Sequence, residues 1–127
     1  DFGFALVCGG RKIKSVCGSP AYMAPEIWRR HAYLGPPVDV WALGALAYEL
    51  LHNRPAFSDE SMGGLEVRIL RGAHNALHKG ASAGFRQLIK GVFSLVVPER
   101  LTAAHVARHE WVESLMRELP PLASDRQ

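Results

Sequence analysis

Residues 38–51 read Val-Asp-Val-Trp-Ala-Leu-Gly-Ala-Leu-Ala-Tyr-Glu-Leu-Leu, and no other stretch constrains the fold as much. Ala, Leu, Tyr and Glu permit helix throughout, and apolar side chains fall on every side of the cylinder. A helix apolar all round is expected at the centre of a larger domain. It is not a membrane span: it has 14 residues and contains Asp39 and Glu49, whereas crossing a bilayer takes about 20 apolar residues. Asp39 falls in its first turn, where the positive end of the helix dipole favours a carboxylate. His52-Asn53-Arg54-Pro55 ends it.

The flanking sequence splits into two regimes. Before the helix, Phe2 to Cys8 has β-favouring side chains and no helical period, which predicts a short strand. Gly9 to Lys14 is a basic loop. Ser15 to Pro25 contains Gly18, Pro20 and Pro25 and cannot be one long helix, so an irregular, shaped segment is expected. Glu26 to Arg30 can form a short helix opened by Pro25, and Gly35-Pro36-Pro37 then punctuates the chain. After the central helix, Met62, Leu65 and Ile69 share a helical face. A polar connection follows over Gly72 to Ala81. Phe85, Leu88, Ile89 and Val92 follow i, i+3, i+4, i+7, with Ser82 as cap. Thr102 can cap a helix with Ala103, Val106 and Ala107 inward. Val112, Leu115, Met116 and Leu119 repeat the pattern, with Glu113 and Arg117 as an i, i+4 pair. Pro120-Pro121 stops it, and a frayed tail is expected to the end. There is no internal repeat. The fold class is mainly α: five or six helices around a buried central one, with a strand and a shaped loop at the start.

Composition narrows the function classes. Hydrophobic residues make up 48% and charged residues 21%, which excludes wholesale disorder. Fifteen Lys plus Arg against 12 Asp plus Glu give +3, too small and too scattered an excess for a nucleic-acid binder, so no nucleic-acid or membrane partner is expected. Cys8 and Cys17 are too few for a secreted disulfide framework. Reduced thiols inside the cell, most simply in the cytoplasm, are the favoured reading, and a disulfide between them the lesser one. Gly9-Gly10-Arg11-Lys12 lacks the spacing of a phosphate-binding Walker loop. His74/His78 and His105/His109 have i, i+4 spacing, but no third ligand accompanies either pair.

Four short motifs remain: Asp1-Phe2-Gly3, Ala24-Pro25-Glu26, Asp39-Val40-Trp41-Ala42-Leu43-Gly44 and Pro98-Glu99-Arg100-Leu101-Thr102-Ala103. Any one triplet recurs by chance about once in 8,000 windows, so a single one is weak evidence, but four in order are strong. Together they resemble the C-terminal lobe of the eukaryotic protein kinases, from the DFG motif onward. The resemblance places an activation segment at 1–26, a helical subdomain at 27–119 and a tail at 120–127. It implies the α+β kinase fold with the N-lobe absent, and a cut just before Asp1.

The resemblance also implies roles. Asp1 would hold the Mg²⁺ that bridges the ATP phosphates, with Phe2 packed inside to orient it and Gly3 allowing the turn. Gly18, Ser19, Pro20 and Tyr22 lie in Cys17-Gly18-Ser19-Pro20-Ala21-Tyr22-Met23, which looks like the loop that receives the protein substrate. Ser19 there resembles the serine/threonine-specific form, its hydroxyl bonding the catalytic machinery. Ser15 occupies the place where related kinases are phosphorylated by an upstream activating kinase; an unmodified loop serine is the equal alternative. Glu26 and Arg100, 74 positions apart, would form a bidentate pair, and each could otherwise be a solvated charge. Asp39 would anchor the catalytic-loop backbone, and Trp41 would pack in the core.

The expected activity is ATP- and Mg²⁺-dependent phosphoryl transfer to Ser/Thr of protein substrates by a complete parent, with this stretch alone inactive. The Gly-rich loop, the β3 lysine, its glutamate partner and the HRD base do not precede Asp1, and Val97 stands where the family usually has Asp. Loosely, Cys17 to Glu26 is most like the calcium/calmodulin-dependent or AMP-activated group. The competing reading is a pseudokinase or truncated lobe acting as an interaction module.

Overall fold

The computed structural model describes residues 1–120. Six α-helices lie among them: α1 (Pro25–Trp28), α2 (Gly35–His52), α3 (Met62–Leu70), α4 (Ala83–Val92), α5 (Ala103–Ala107) and α6 (Glu110–Glu118). Single 3-10 turns occur at Pro20–Tyr22 and Val97–Glu99. The predicted tail falls at 120–127, and residues 121–127 of it lie outside the described residues.

Helix α2 is the frame. It begins three residues before the expected Val38, because Gly35-Pro36-Pro37 forms its first turn instead of a break. The first N–H groups of a helix have no intrahelical partner, so prolines lose nothing there. At the other end Asn53 takes a left-handed conformation (φ 52°) and its N–H bonds the Glu49 carbonyl. Val38, Val40, Trp41, Gly44, Ala45 and Tyr48 are buried. Helix α4 crosses so closely at Gly44 that a β-carbon there would collide with Val92. Trp41, Phe57 and Phe93 form an aromatic knot, with ring centroids 4.8–5.4 Å apart. All four apolar positions predicted for α4 are buried.

The caps expected at Ser82 and Thr102 form, and Ser61 supplies one that the sequence reading did not name. Ser61 accepts from Gly64 N–H, Ser82 from Phe85 N–H and Thr102 from His105 N–H.

Four expectations need correction. Residues 2–8 form no strand, and none is present among the described residues; one isolated antiparallel bridge joins Ile13 to Tyr33. A strand needs a neighbour to satisfy its backbone, and residues 2–8 make a turn instead, with Ala5 N–H on the Phe2 carbonyl. Helix α2 is not covered on every side, since Leu43, Leu46, Leu50 (76% exposed) and Leu51 face outward. Met62 of α3 and Leu115, Met116 and Leu119 of α6 are also exposed, as are Ala103 and Ala107 of α5. Finally, Glu113 and Arg117 do not pair; the one ion pair among the described residues joins Glu26 to Arg100.

Candidate functional site

The N-terminal segment lies against α2 through its Pro20–Tyr22 turn. Asp1 is exposed, and its Oδ1 accepts the Gly3 N–H at 2.8 Å. That turn brings Asp1 Oδ1 within 3.2 Å of where a β-carbon on residue 3 would stand, so glycine fits it. Phe2 does not pack inside: it is 89% exposed, and no described residue covers it.

Ile13 and Tyr33 exchange both backbone hydrogen bonds, at 2.7 and 2.9 Å, and the Tyr33 hydroxyl donates to the Ser15 carbonyl at 2.7 Å. Ser15 is thereby fixed through its main chain while its side chain stays exposed. Burial raises the Tyr33 phenol pKa; the Ser15 bond opposes this, and nearby Cys17 and Asp39 add to the rise.

Gly18 adopts φ +123°, a conformation open to glycine, and leads into Ser19 at the start of the Pro20–Tyr22 turn. The Ser19 carbonyl accepts the Tyr22 N–H, and its hydroxyl has no hydrogen-bond partner among the described residues. Tyr22 donates its phenol proton to the Glu49 carboxylate on α2. That bond, then burial, then the Glu49 charge raise its pKa. Ser19, Tyr22, Tyr33 and Asp39 share the wall of a cavity of about 400 Å³ between the segment and α2, and both free thiols, Cys8 and Cys17, line it too. Asp39 is exposed to it from one turn inside the helix, not from the helix start.

At the far side of the segment lies a clamp. Arg100 Nη2 meets Glu26 Oε1 at 2.7 Å and Nη1 meets Oε2 at 2.9 Å, the bidentate geometry. Nη1 also donates to the Pro37 carbonyl and Nε to that of Ser94, each at 3.0 Å. The Arg100 side chain is fully buried and its guanidinium lies 5.1 Å from the centroid of Trp41. Pro25 and Ala24 are buried beside it. Segment, central helix and C-terminal loop therefore meet at one guanidinium.

The structure thus brings Glu26, Arg100 and Trp41 together, and Ser19 with Asp39 on one cavity. It leaves Asp1 apart: among the described residues no group of three or more His, Cys, Asp or Glu could hold a metal ion. Sequence reasoning missed Glu49, Tyr33 and the Pro37 and Ser94 carbonyls. Tyr22 and Glu49 are separated by 27 positions with no pattern linking them.

The sequence profile of the family described as protein kinase domain matches residues 1–112. This chain belongs to the protein kinase family. It is 37% identical over 112 residues to a carbon catabolite-derepressing protein kinase of Candida glabrata, covering 87% of this chain and 18% of that protein. It is 34% identical over 115 residues to human calcium/calmodulin-dependent protein kinase type 1B, covering 88% and 33%. Against the carbon catabolite-derepressing protein kinase of Saccharomyces cerevisiae it is 36% identical over 124 residues, covering 95% and 19%. The chain therefore spans between 18% and 33% of the length of these relatives, and its kinship includes the calcium/calmodulin-dependent and AMP-activated group. The mainly helical fold fits the C-lobe of a kinase. No helix among the described residues is long and apolar enough to cross a membrane.

Proposed function

We propose that residues 1–119 are the activation segment and helical lobe of a serine/threonine protein kinase, whose complete domain phosphorylates Ser/Thr of protein substrates. The observation that carries this reading is the buried Glu26–Arg100 clamp beside a cavity that presents Ser19 and Asp39 together. The clamp fixes the end of the segment against α2, so that Gly18, Ser19, Pro20 and Tyr22 form a rigid loop for a substrate chain. Glu49 holds the Tyr22 ring in that loop. The cavity wall is largely apolar and carries the Ser19 hydroxyl and Asp39 carboxylate as polar contacts for a docking catalytic loop.

ATP and Mg²⁺ are the implied cofactors, and the residues present fit one metal-ligand position only. Asp1 would supply it: Oδ1 is used by Gly3 N–H, leaving Oδ2 open as a hard oxygen ligand. The metal, when bound, neutralises charge on the transferred phosphoryl group. Ser15 is the regulatory candidate, its main chain held by Tyr33 and its hydroxyl free to receive a phosphate from an upstream kinase. The remaining ligands, the base and the nucleotide cradle belong to an N-lobe and catalytic loop outside residues 1–127, and the chain alone is inactive. The outward leucines of α2 support the same view, as a face suited to cover by further chain. Free Cys8 and Cys17 accord with an intracellular site.

The test is phosphate transfer from Mg·ATP to Ser-, Thr- and Tyr-containing peptides by a parent protein containing this stretch. Transfer to Ser/Thr is expected, falling by more than about a hundredfold in Asp1→Asn. A folded parent that transfers nothing would instead make this lobe an interaction module.

A further inference from the structure

The last residue of α2 is a histidine whose protonation state is dictated by its hydrogen-bond partners. His52 Nε2 lies 2.8 Å from the backbone nitrogen of His78, and its Nδ1 lies 2.9 Å from the carbonyl oxygen of Tyr48. An amide N–H can only donate and a carbonyl can only accept. The ring is therefore neutral with its proton on Nδ1, donating to Tyr48 and accepting from His78. The ring is stacked on Tyr48 (4.1 Å between centroids, 8° between planes), and Phe85 lies 6.0 Å away.

What His52 holds is the irregular connection between α3 and α4. The same stretch is strapped elsewhere mainly through its carbonyls: Tyr48 hydroxyl and Arg54 Nη2 donate to Ala76, and Arg86 to His78, Lys79 and Ala81, while Asn75 donates from its backbone N–H to the Ala56 carbonyl and from its side chain to the Pro55 carbonyl. The His52–His78 bond runs the other way, with the side chain as acceptor. Beside it opens a cavity of about 280 Å³ whose wall includes His52, His78, Phe85, Trp111 and Leu115.

We propose that His52 is a proton-sensitive latch. While neutral it holds residues 77–80 against the end of α2; a proton on Nε2 places two donors face to face, releases the strand of backbone at His78 and widens the adjoining cavity.

The surrounding charges favour release over a protonated latch. Arg54 and Arg86 converge on the same connection, and His74, His78 and Lys79 are further basic groups on it. On α2, Glu49 is engaged with Tyr22; on α6, Glu110 and Glu113 occupy the first turn and neither reaches the ring. No carboxylate among the described residues is hydrogen-bonded to His52. His78 and His109 reinforce the trend, since their Nδ1 atoms accept N–H groups of Gly80 and Trp111 at the same cavity's rim. Neutral imidazole is required at each, so acid acts in one direction: toward an open connection. The latch is independent of the transferase reading.

The test is nitrogen-detected NMR of His52 in the full chain, with amide exchange at His78 measured at about pH 7.5 and about pH 5.5. At the higher pH the proton is expected on Nδ1. After correction for intrinsic rates, His78 exchange is expected to rise roughly three- to tenfold at the lower pH, the loss of one hydrogen bond. His52→Gln, whose amide oxygen can accept from His78 and does not titrate, should keep the protection and abolish its pH dependence. A ring carrying its proton on Nε2 at the higher pH, or wild-type exchange unchanged between the two, overturns the proposal.

Discussion

Replacing Arg100 by Ala removes the single group on which three parts of the chain converge. The guanidinium is fully buried and makes two hydrogen bonds to Glu26 and one each to the carbonyls of Pro37 and Ser94. Its loss strands a carboxylate that is only 14% exposed, together with two carbonyls, and removes the cation above Trp41. Breaking a buried pair by deleting one partner costs about 3–5 kcal/mol, because the survivor's charge is left uncompensated. Domains of this size have about 5–15 kcal/mol in total, and each kcal/mol moves the midpoint by about 3–6 °C. The expected drop in Tm is therefore roughly 9–30 °C, followed by circular dichroism during a thermal ramp. The double substitution Glu26→Ala with Arg100→Ala should recover about 1–2 kcal/mol relative to Arg100→Ala, since no charge is then stranded. An Arg100→Ala midpoint within about 2 °C of the original, or single and double substitutions whose costs simply add, would refute the reasoning.

Three further outcomes are expected. Gly44→Ala drives a methyl group into Val92 and should cost about 1–3 kcal/mol, read from the urea midpoint, with Gly63→Ala as a control in open space. Arg30 holds φ 58° on an exposed turn after α1, so Arg30→Gly should stabilise the chain by about 1 kcal/mol in the same measurement. Tyr22 should ionise above the ordinary phenol value of 10.0, and Glu49→Gln should lower its titration in ultraviolet difference spectra. Because the folded value is raised, the Tyr22–Glu49 contribution is whole below about pH 10 and is lost as pH climbs through the folded value; a Tyr22 titration unmoved by Glu49→Gln would contradict the assignment.

Much of the fold was legible because it depends on local pattern. The apolar repeat of Phe85, Leu88, Ile89 and Val92, the caps at Ser82 and Thr102, and the all-round apolar character of residues 38–51 are properties of short windows. The four motifs located the family because each depends on residue type at fixed spacing. Misreadings came where pairing decides. Residues 2–8 have strand-favouring side chains and no neighbour, whereas the bridge formed at Ile13 and Tyr33, where two loops happen to meet.

By itself the sequence determined that this chain is helical around residues 38–51 and belongs with the protein kinases, and it singled out Asp1, Ser19, Glu26, Asp39 and Arg100 as candidates. Only the tertiary structure decided which of these touch. It buried Arg100 between Glu26, Pro37, Ser94 and Trp41, set Ser19 and Asp39 on one cavity, and joined Tyr22 to Glu49. It also turned Leu43, Leu46 and Leu50 outward. Helical periodicity states that a side chain is apolar and on which face it lies. What covers that face depends on contacts between segments far apart in the chain, and those no local window encodes.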